Sequence, residues 1–370
     1  MIRGGKQVTT RRGTFNVLLA IGIFLSVLTL YLIEDNSEAN AASRTVNIGC
    51  GQDVDNITNG DPALTSTQFV LAPDCTFTAS STLVPKDLDR VDCAIYPTFI
   101  PRGPALDPQT RCTIDGAAGL TQVMKPQGTF AISGIMVRGG DYTGAAGTGV
   151  GIAEGNMSNW SWAWGIVVRD NEGVGISNAH GVHEQIELTN NTTDPNALGH
   201  IGAGIRGVDE FNIEESYVHD TQGNGVWCDV YCNDVSSYFN VFHVHDNLIA
   251  NNGRAGVRFE ETADSGQDSQ PNAGEALIEN NEVHGNGTNS VRGGVSVHDA
   301  QHALIRNNGF GAVTIAGVSY PRNVSSIAVR VTDSGRSDRP DTADVNIVNN
   351  TLNGETIKTC GGVVTCLGNQ

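Results

Sequence analysis

Val168-Arg169-Asp170-Asn171, Val244-His245-Asp246-Asn247, Ile278-Glu279-Asn280-Asn281, Ile305-Arg306-Asn307-Asn308 and Ile347-Val348-Asn349-Asn350 are copies of one phrase. Each runs from a β-branched residue through a polar step to an Asn, and after a loop a Gly opens another β-branched run. A unit this short cannot bury its own apolar face, so repetition implies stacking on further copies. The steps are uneven, shortest from Asn171 to Asn191 and longest from Asn308 to Asn350, with Ser216 standing where a further Asn is due. Fixed-length blades and horseshoes do not tolerate such steps, whereas a coil whose turns carry loops of different length does. The expected fold is all-β, a parallel β-helix. Asn suits the bend because its short amide accepts unusual backbone angles and bonds to the next turn in a ladder. The expectation is that Asn171, Asn191, Asn247, Asn281, Asn308 and Asn350 stack in one line.

The composition agrees with a solenoid. The chain has 370 residues, 45 of them Gly, with 39% hydrophobic and only 6% aromatic residues. That leaves little bulk for helical cores, but small β-branched side chains in a narrow bore need less. A net charge of -18 argues against nucleic acid as partner, because such binding needs a basic surface.

Residues 1–41 read as a signal peptide or membrane anchor. Arg3, Lys6, Arg11 and Arg12 precede an uncharged apolar run from Val17 to Ile33, and Ala39-Asn40-Ala41 offers a cleavage site. Export is expected, and membrane contact only through this segment if it stays uncleaved. Eight cysteines in an exported chain point to disulfides, and spacing suggests local pairs: Cys50 with Cys75, Cys93 with Cys112, Cys228 with Cys232, Cys360 with Cys366. Many other pairings are open to eight cysteines. On this reading no thiol is free.

Residues 42–118 read as the N-terminal cap and first turns, with strand candidates at Thr45–Ile48 and Thr67–Leu71 and prolines at 85, 97, 101, 104 and 108. Residues 119–370 form the regular body. Here Gly223-Asn224-Gly225-Val226-Trp227-Cys228-Asp229, followed one turn later by Gly256-Val257-Arg258-Phe259-Glu260, resembles the secreted right-handed parallel β-helix proteins of the pectate-lyase-like superfamily. The resemblance covers nearly all of the mature chain. It implies the fold and leaves the reaction open, since that superfamily includes polysaccharide lyases, glycoside hydrolases, uronate epimerases and members without assigned activity.

Aligning the Gly-led strands beginning at Gly175, Gly204, Gly225, Gly256 and Gly294 yields columns. Alternate residues of a strand face opposite ways, so the residue after each Gly points into the bore and the next points out. One outward column is Ser177, Arg206, Trp227, Arg258 and Ser296; a second is Ala179, Val208, Asp229, Glu260 and His298. Cys228 points inward by parity. The expected site is a solvent-facing patch of Arg206, Trp227, Asp229, Arg258 and Glu260, overhung by a lid candidate from Thr262 to Gly274.

Three readings compete for it. In the first, Asp229, Glu260 and Glu261 bind Ca²⁺, which neutralises a uronate carboxylate while Arg206 or Arg258 takes the adjacent proton in β-elimination; an arginine base is what the resemblance to pectate lyases implies. In the second, Asp229 and Glu260 are the acid and base of a glycosidase. In the third there is no reaction, and Trp227 with Arg206 simply holds a glycan. Cross-strand neutralisation of Arg206 and Arg258 by the carboxylates explains the same charges without function, and His298 reads equally as a polar strand residue. The lyase of a uronate-containing polysaccharide leads, because two arginines flank the carboxylates on an otherwise acidic protein. The chain is expected to act as a monomer.

Overall fold

The computed structural model describes residues 44–55, 66–94, 112–154, 160–197, 202–229, 241–260, 275–290, 292–299, 303–333, 345–360 and 364–370. The N-terminal segment, Cys232, Glu261 and the lid candidate lie outside them. Among the described residues no helix is long and apolar enough to cross a membrane.

The chain is a parallel β-helix. Each full coil contributes a front strand, a side strand and a short back strand; one coil comprises Asn224–Cys228, Val241–His245 and Leu248–Ala250, and Val257–Glu260 opens the next. Front and side strands share a 19-stranded sheet because Val174–Glu184 and Ala203–Glu214 run through both faces, while the back strands form a 9-stranded sheet. The named front, side and back ladders are parallel. Pairing begins at Arg44–Ile48 against Thr67–Leu71, so the residues read as cap and first turns already belong to the coil's ladders.

Inward positions stack into columns. Ile176, Ile205, Val226, Val257, Val295 and Val329 lie in register along the front and are fully buried. Phe211, Phe242 and Phe259 stack at 5.6 and 5.7 Å between centroids. His183 is a polar member of the side column: it occupies the inward position between Ala163 and Ile213, and its Nε2 lies 3.0 Å from Glu154 Oε1, both side chains inaccessible.

The asparagines do not form one line. They form two ladders, one at each corner flanking the back strands. The first runs Ser216, Asn247, Asn281, Asn308, Asn350 and Asn369; the second joins Asn171 to Asn191 and then runs through Thr221, Asn252, Asn286, Asn323 and Glu355. The back strand between them is only three residues long, so each coil turns twice within a few residues and needs a ladder at both bends. The work is also divided within each dyad. The first member takes the left-handed backbone, as at Asp246 (φ 57°) and Asn280 (φ 56°), and the second donates to the coil before it and accepts from it.

This geometry accounts for the Gly that opens each front strand. A Cβ at Gly256 would lie 2.8 Å from Asn286 Nδ2 and 2.9 Å from Gly294 O. At Gly225 it would lie 2.7 Å from Asn252 Nδ2. The second-corner amide fills the space that a side chain would need.

Disulfides Cys50–Cys75 and Cys93–Cys112 are formed as the spacing suggests. Cys228 is buried and disulfide-bonded. The pairing of Cys360 with Cys366 is not found: Cys366 is a free, exposed thiol. Thr356–Cys360 belongs to the front ladder and Val364–Leu367 to the side ladder, where Cys366 sits opposite Ile347 and continues its column at the last coil.

Candidate functional site

The front face carries the outward columns in the expected register: Ser177 pairs with Arg206, Arg206 with Trp227, Trp227 with Arg258, Arg258 with Ser296, and Ser296 with Arg330. Glu260 pairs with His298 and His298 with Thr332. Ala179 departs from the second column, because a bulge at Asn178 (φ 54°) shifts it opposite Gly207 rather than Val208.

Arg206, Trp227, Asp229, Arg258 and Glu260 are brought together, but all except the half-buried Arg206 are buried rather than facing solvent. Trp227 is 6% exposed, Arg258 8%, Asp229 6% and Glu260 4%. The indole lies between two guanidiniums, Arg206 Cζ at 4.8 Å and Arg258 Cζ at 4.7 Å from its centroid. Arg206 Nη2 donates to Asp229, Arg258 Nη2 donates to Glu260, and Trp227 Nε1 donates to Glu260 Oε2 at 3.2 Å. Trp227 also belongs to an apolar cluster with Val174, Ala197 and Ala203, against which Tyr142 packs. Burial lowers the Arg206 pKa, opposed by Glu260. A cation–π sandwich closed by two ion pairs is a locked arrangement.

Its carboxylates are already compensated. Asp229 and Glu260 face guanidiniums rather than an open cavity, so as a donor set they do not fit Ca²⁺, and Glu261 lies outside the described residues. Among the described residues no group of three or more His, Cys, Asp and Glu is placed to hold a metal ion.

The open part of the column lies farther toward the C-terminus. Ser290, Arg292, Ser296, His298, Arg330 and Thr332 line a cleft of about 250 Å³. His298 is the one residue of the expected constellation that lines it. Its Nδ1 is 2.6 Å from Thr332 Oγ1, its Nε2 is 3.5 Å from Asp299 Oδ2, and the side chain is 30% exposed. The Arg292 pKa is pushed down to about 10, chiefly by burial and then by Arg258 and Arg330, with Glu260 opposing. Arg254 is lowered by burial and by Arg292. Four guanidiniums thus crowd around Glu260 in a strongly acidic protein, an arrangement suited to an anion.

Arg292, Arg330, Ser290 and Thr332 were not found from the sequence. For Arg330 and Thr332 the signal is present: Ile327–Thr332 continues the front ladder, but Ala328 stands where the repeat puts its Gly.

No family model matches the chain, and no curated protein does. Among solved structures, the Dettilon tailspike protein is similar at 14% identity and TM-score 0.51, over 85% of this chain and 62% of that one. The A-module of the mannuronan C-5 epimerase AlgE4 of Azotobacter vinelandii is similar at 13% identity and TM-score 0.48, covering 88% and 96% respectively. The surface protein and adhesin PfbA of Streptococcus pneumoniae is similar at 11% identity and TM-score 0.49, covering 88% and 97%. At such identities the likeness is one of fold, and it agrees with the right-handed parallel β-helix.

Proposed function

We propose that the chain acts outside the cytoplasm on an anionic, uronate-containing polysaccharide, and that the front cleft is where it cleaves that chain by β-elimination. The observation that carries the reading is the cleft itself, where Arg292 and Arg330 stand beside His298 on a protein of net charge -18. The guanidiniums pair with the uronate carboxylate, which makes the adjacent C–H more acidic. His298, oriented by Thr332 and Asp299, takes that proton. The C–H electron pair becomes the new C=C bond as the glycosidic C–O bond breaks, and the leaving oxygen takes a proton from water or from the imidazolium. The disulfides Cys50–Cys75 and Cys93–Cys112 support an oxidising compartment. A glycosidase receives less support, because among the described residues no carboxylate lines the cleft.

A second reading, binding without cleavage, is favoured by one observation: both ring nitrogens of His298 already have neighbours. The ultraviolet absorbance of unsaturated products on polymannuronate, polyguluronate and polygalacturonate separates the two. Elimination predicts a product from at least one polymer, and His298→Ala lowers its turnover by roughly 10²-fold or more. Binding to one polymer through Arg292, with no product from any of the three, would establish the second reading instead.

A further inference from the structure

Three of the chain's four tryptophans fall within five residues, in the segment Trp160-Ser161-Trp162-Ala163-Trp164. The strand Ser161–Trp164 belongs to the side face, with Ser161 and Ala163 buried and the alternate indoles outward. Trp160 is 41% and Trp162 42% exposed, among the few large apolar side chains so open in the described residues. Scattered exposed apolar residues are ordinary, but three indoles on one edge of one strand are not scattered.

The neighbours explain why Trp162 stays bare. Along the side ladder Trp162 stands between Ala131 and Val182, and Trp164 between Ser133 and Glu184. Inside the coil the phenylalanines of successive turns cover one another's faces; beside Trp162, Ala131 and Val182 are too short to do so. Trp160 meets His180 edge-on at 5.5 Å, which braces it while leaving a face of the indole open. Residues two apart in a strand lie about 6.6 Å apart, so Trp162 and Trp164 offer consecutive flat steps.

We propose that Trp160, Trp162 and Trp164 form a stacking platform for a neutral oligosaccharide, on a different face from the front cleft. Pyranose rings present C–H groups to an indole face while their hydroxyls remain in water. The charges along these columns decide the class of sugar. Glu184 lies beside Trp164, and Arg90 two coils back is bridged to Asp92, so among the described residues these columns offer a uronate or an anionic lipid headgroup no uncompensated positive charge. This site stands independently of the elimination reading.

The test is titration of the intact protein with linear β-linked hexasaccharides of glucose, mannose and xylose, followed by tryptophan fluorescence and calorimetry. At least one should bind, Trp162→Ala should weaken that binding roughly tenfold or more, and Trp162→Phe should retain most of it. An unchanged thermal midpoint in Trp162→Ala, expected for so exposed a ring, excludes unfolding as the cause. Binding by none of the three, or binding indifferent to Trp162→Ala, overturns the proposal. So does Trp162-dependent association with phosphatidylcholine vesicles or between copies of the chain in the absence of any sugar response.

Discussion

Asn281 ties three coils together. Its Nδ2 donates to Val244 O and to Asn308 Oδ1, and its Oδ1 accepts from the backbone and side chain of Asn247. Asn281→Ala leaves several buried backbone and amide groups without partners, and should cost about 1–3 kcal/mol in denaturant unfolding. His183 presents the opposite case, a polar ring in an apolar column. His183→Leu strands Glu154 inside the coil and should cost about 3–5 kcal/mol, much of it recovered when Glu154 is also made Leu. His219 carries a pH dependence. Burial pulls its pKa down, but bonds to Asp220 and Glu187 outweigh that and the net shift is upward. Folding therefore favours the protonated ring. Its contribution is fully present below the unfolded value of about 6.5 and is lost as pH rises through the higher folded value. The urea midpoint should fall across that window, and His219→Gln should flatten the fall.

At the scale of the element, the repeat's grammar is steric. The second-corner Asn fills the space under the front-strand Gly, so the two residues recur together. Gly256→Ala would force a methyl against Asn286 and the Gly294 carbonyl, and should lower the thermal midpoint more than the same change at Gly49, where a Cβ meets only ordinary contact with Gln52 at 3.5 Å. The front register was legible from the Gly-led strands because alternation alone fixes which residues face out. The two corners were not separated, although Asn252 and Asn286 stand five residues beyond Asn247 and Asn281. Each of these later amides reads as loop until the three-residue back strand between the corners is known. The column ended too early for a similar reason, since Ala328 in place of Gly conceals the strand that carries Arg330.

At the scale of the whole molecule, sequence alone could collect Arg206, Trp227, Asp229, Arg258 and Glu260 but could not see them covered. Whether an outward side chain meets solvent depends on what lies over it, as the cluster around Ala197 lies beside Trp227. The terminal cysteines follow the same lesson. Local spacing suggests a bridge, while the coil assigns their strands to different faces, so Cys366 should react with a thiol reagent in the native protein.

On the proposed reading the front cleft, and not the closed ladder beside it, receives an acidic sugar. Calorimetric titration with a saturated uronate tetrasaccharide, repeated on the Arg292→Gln and Arg330→Gln variants, tests it most directly. Removing either guanidinium should weaken binding about tenfold or more, the affinity of the parent protein should fall with added salt, and the thermal midpoints should hold. Affinity unchanged by both substitutions, or no binding by the parent protein at low salt, would contradict the account.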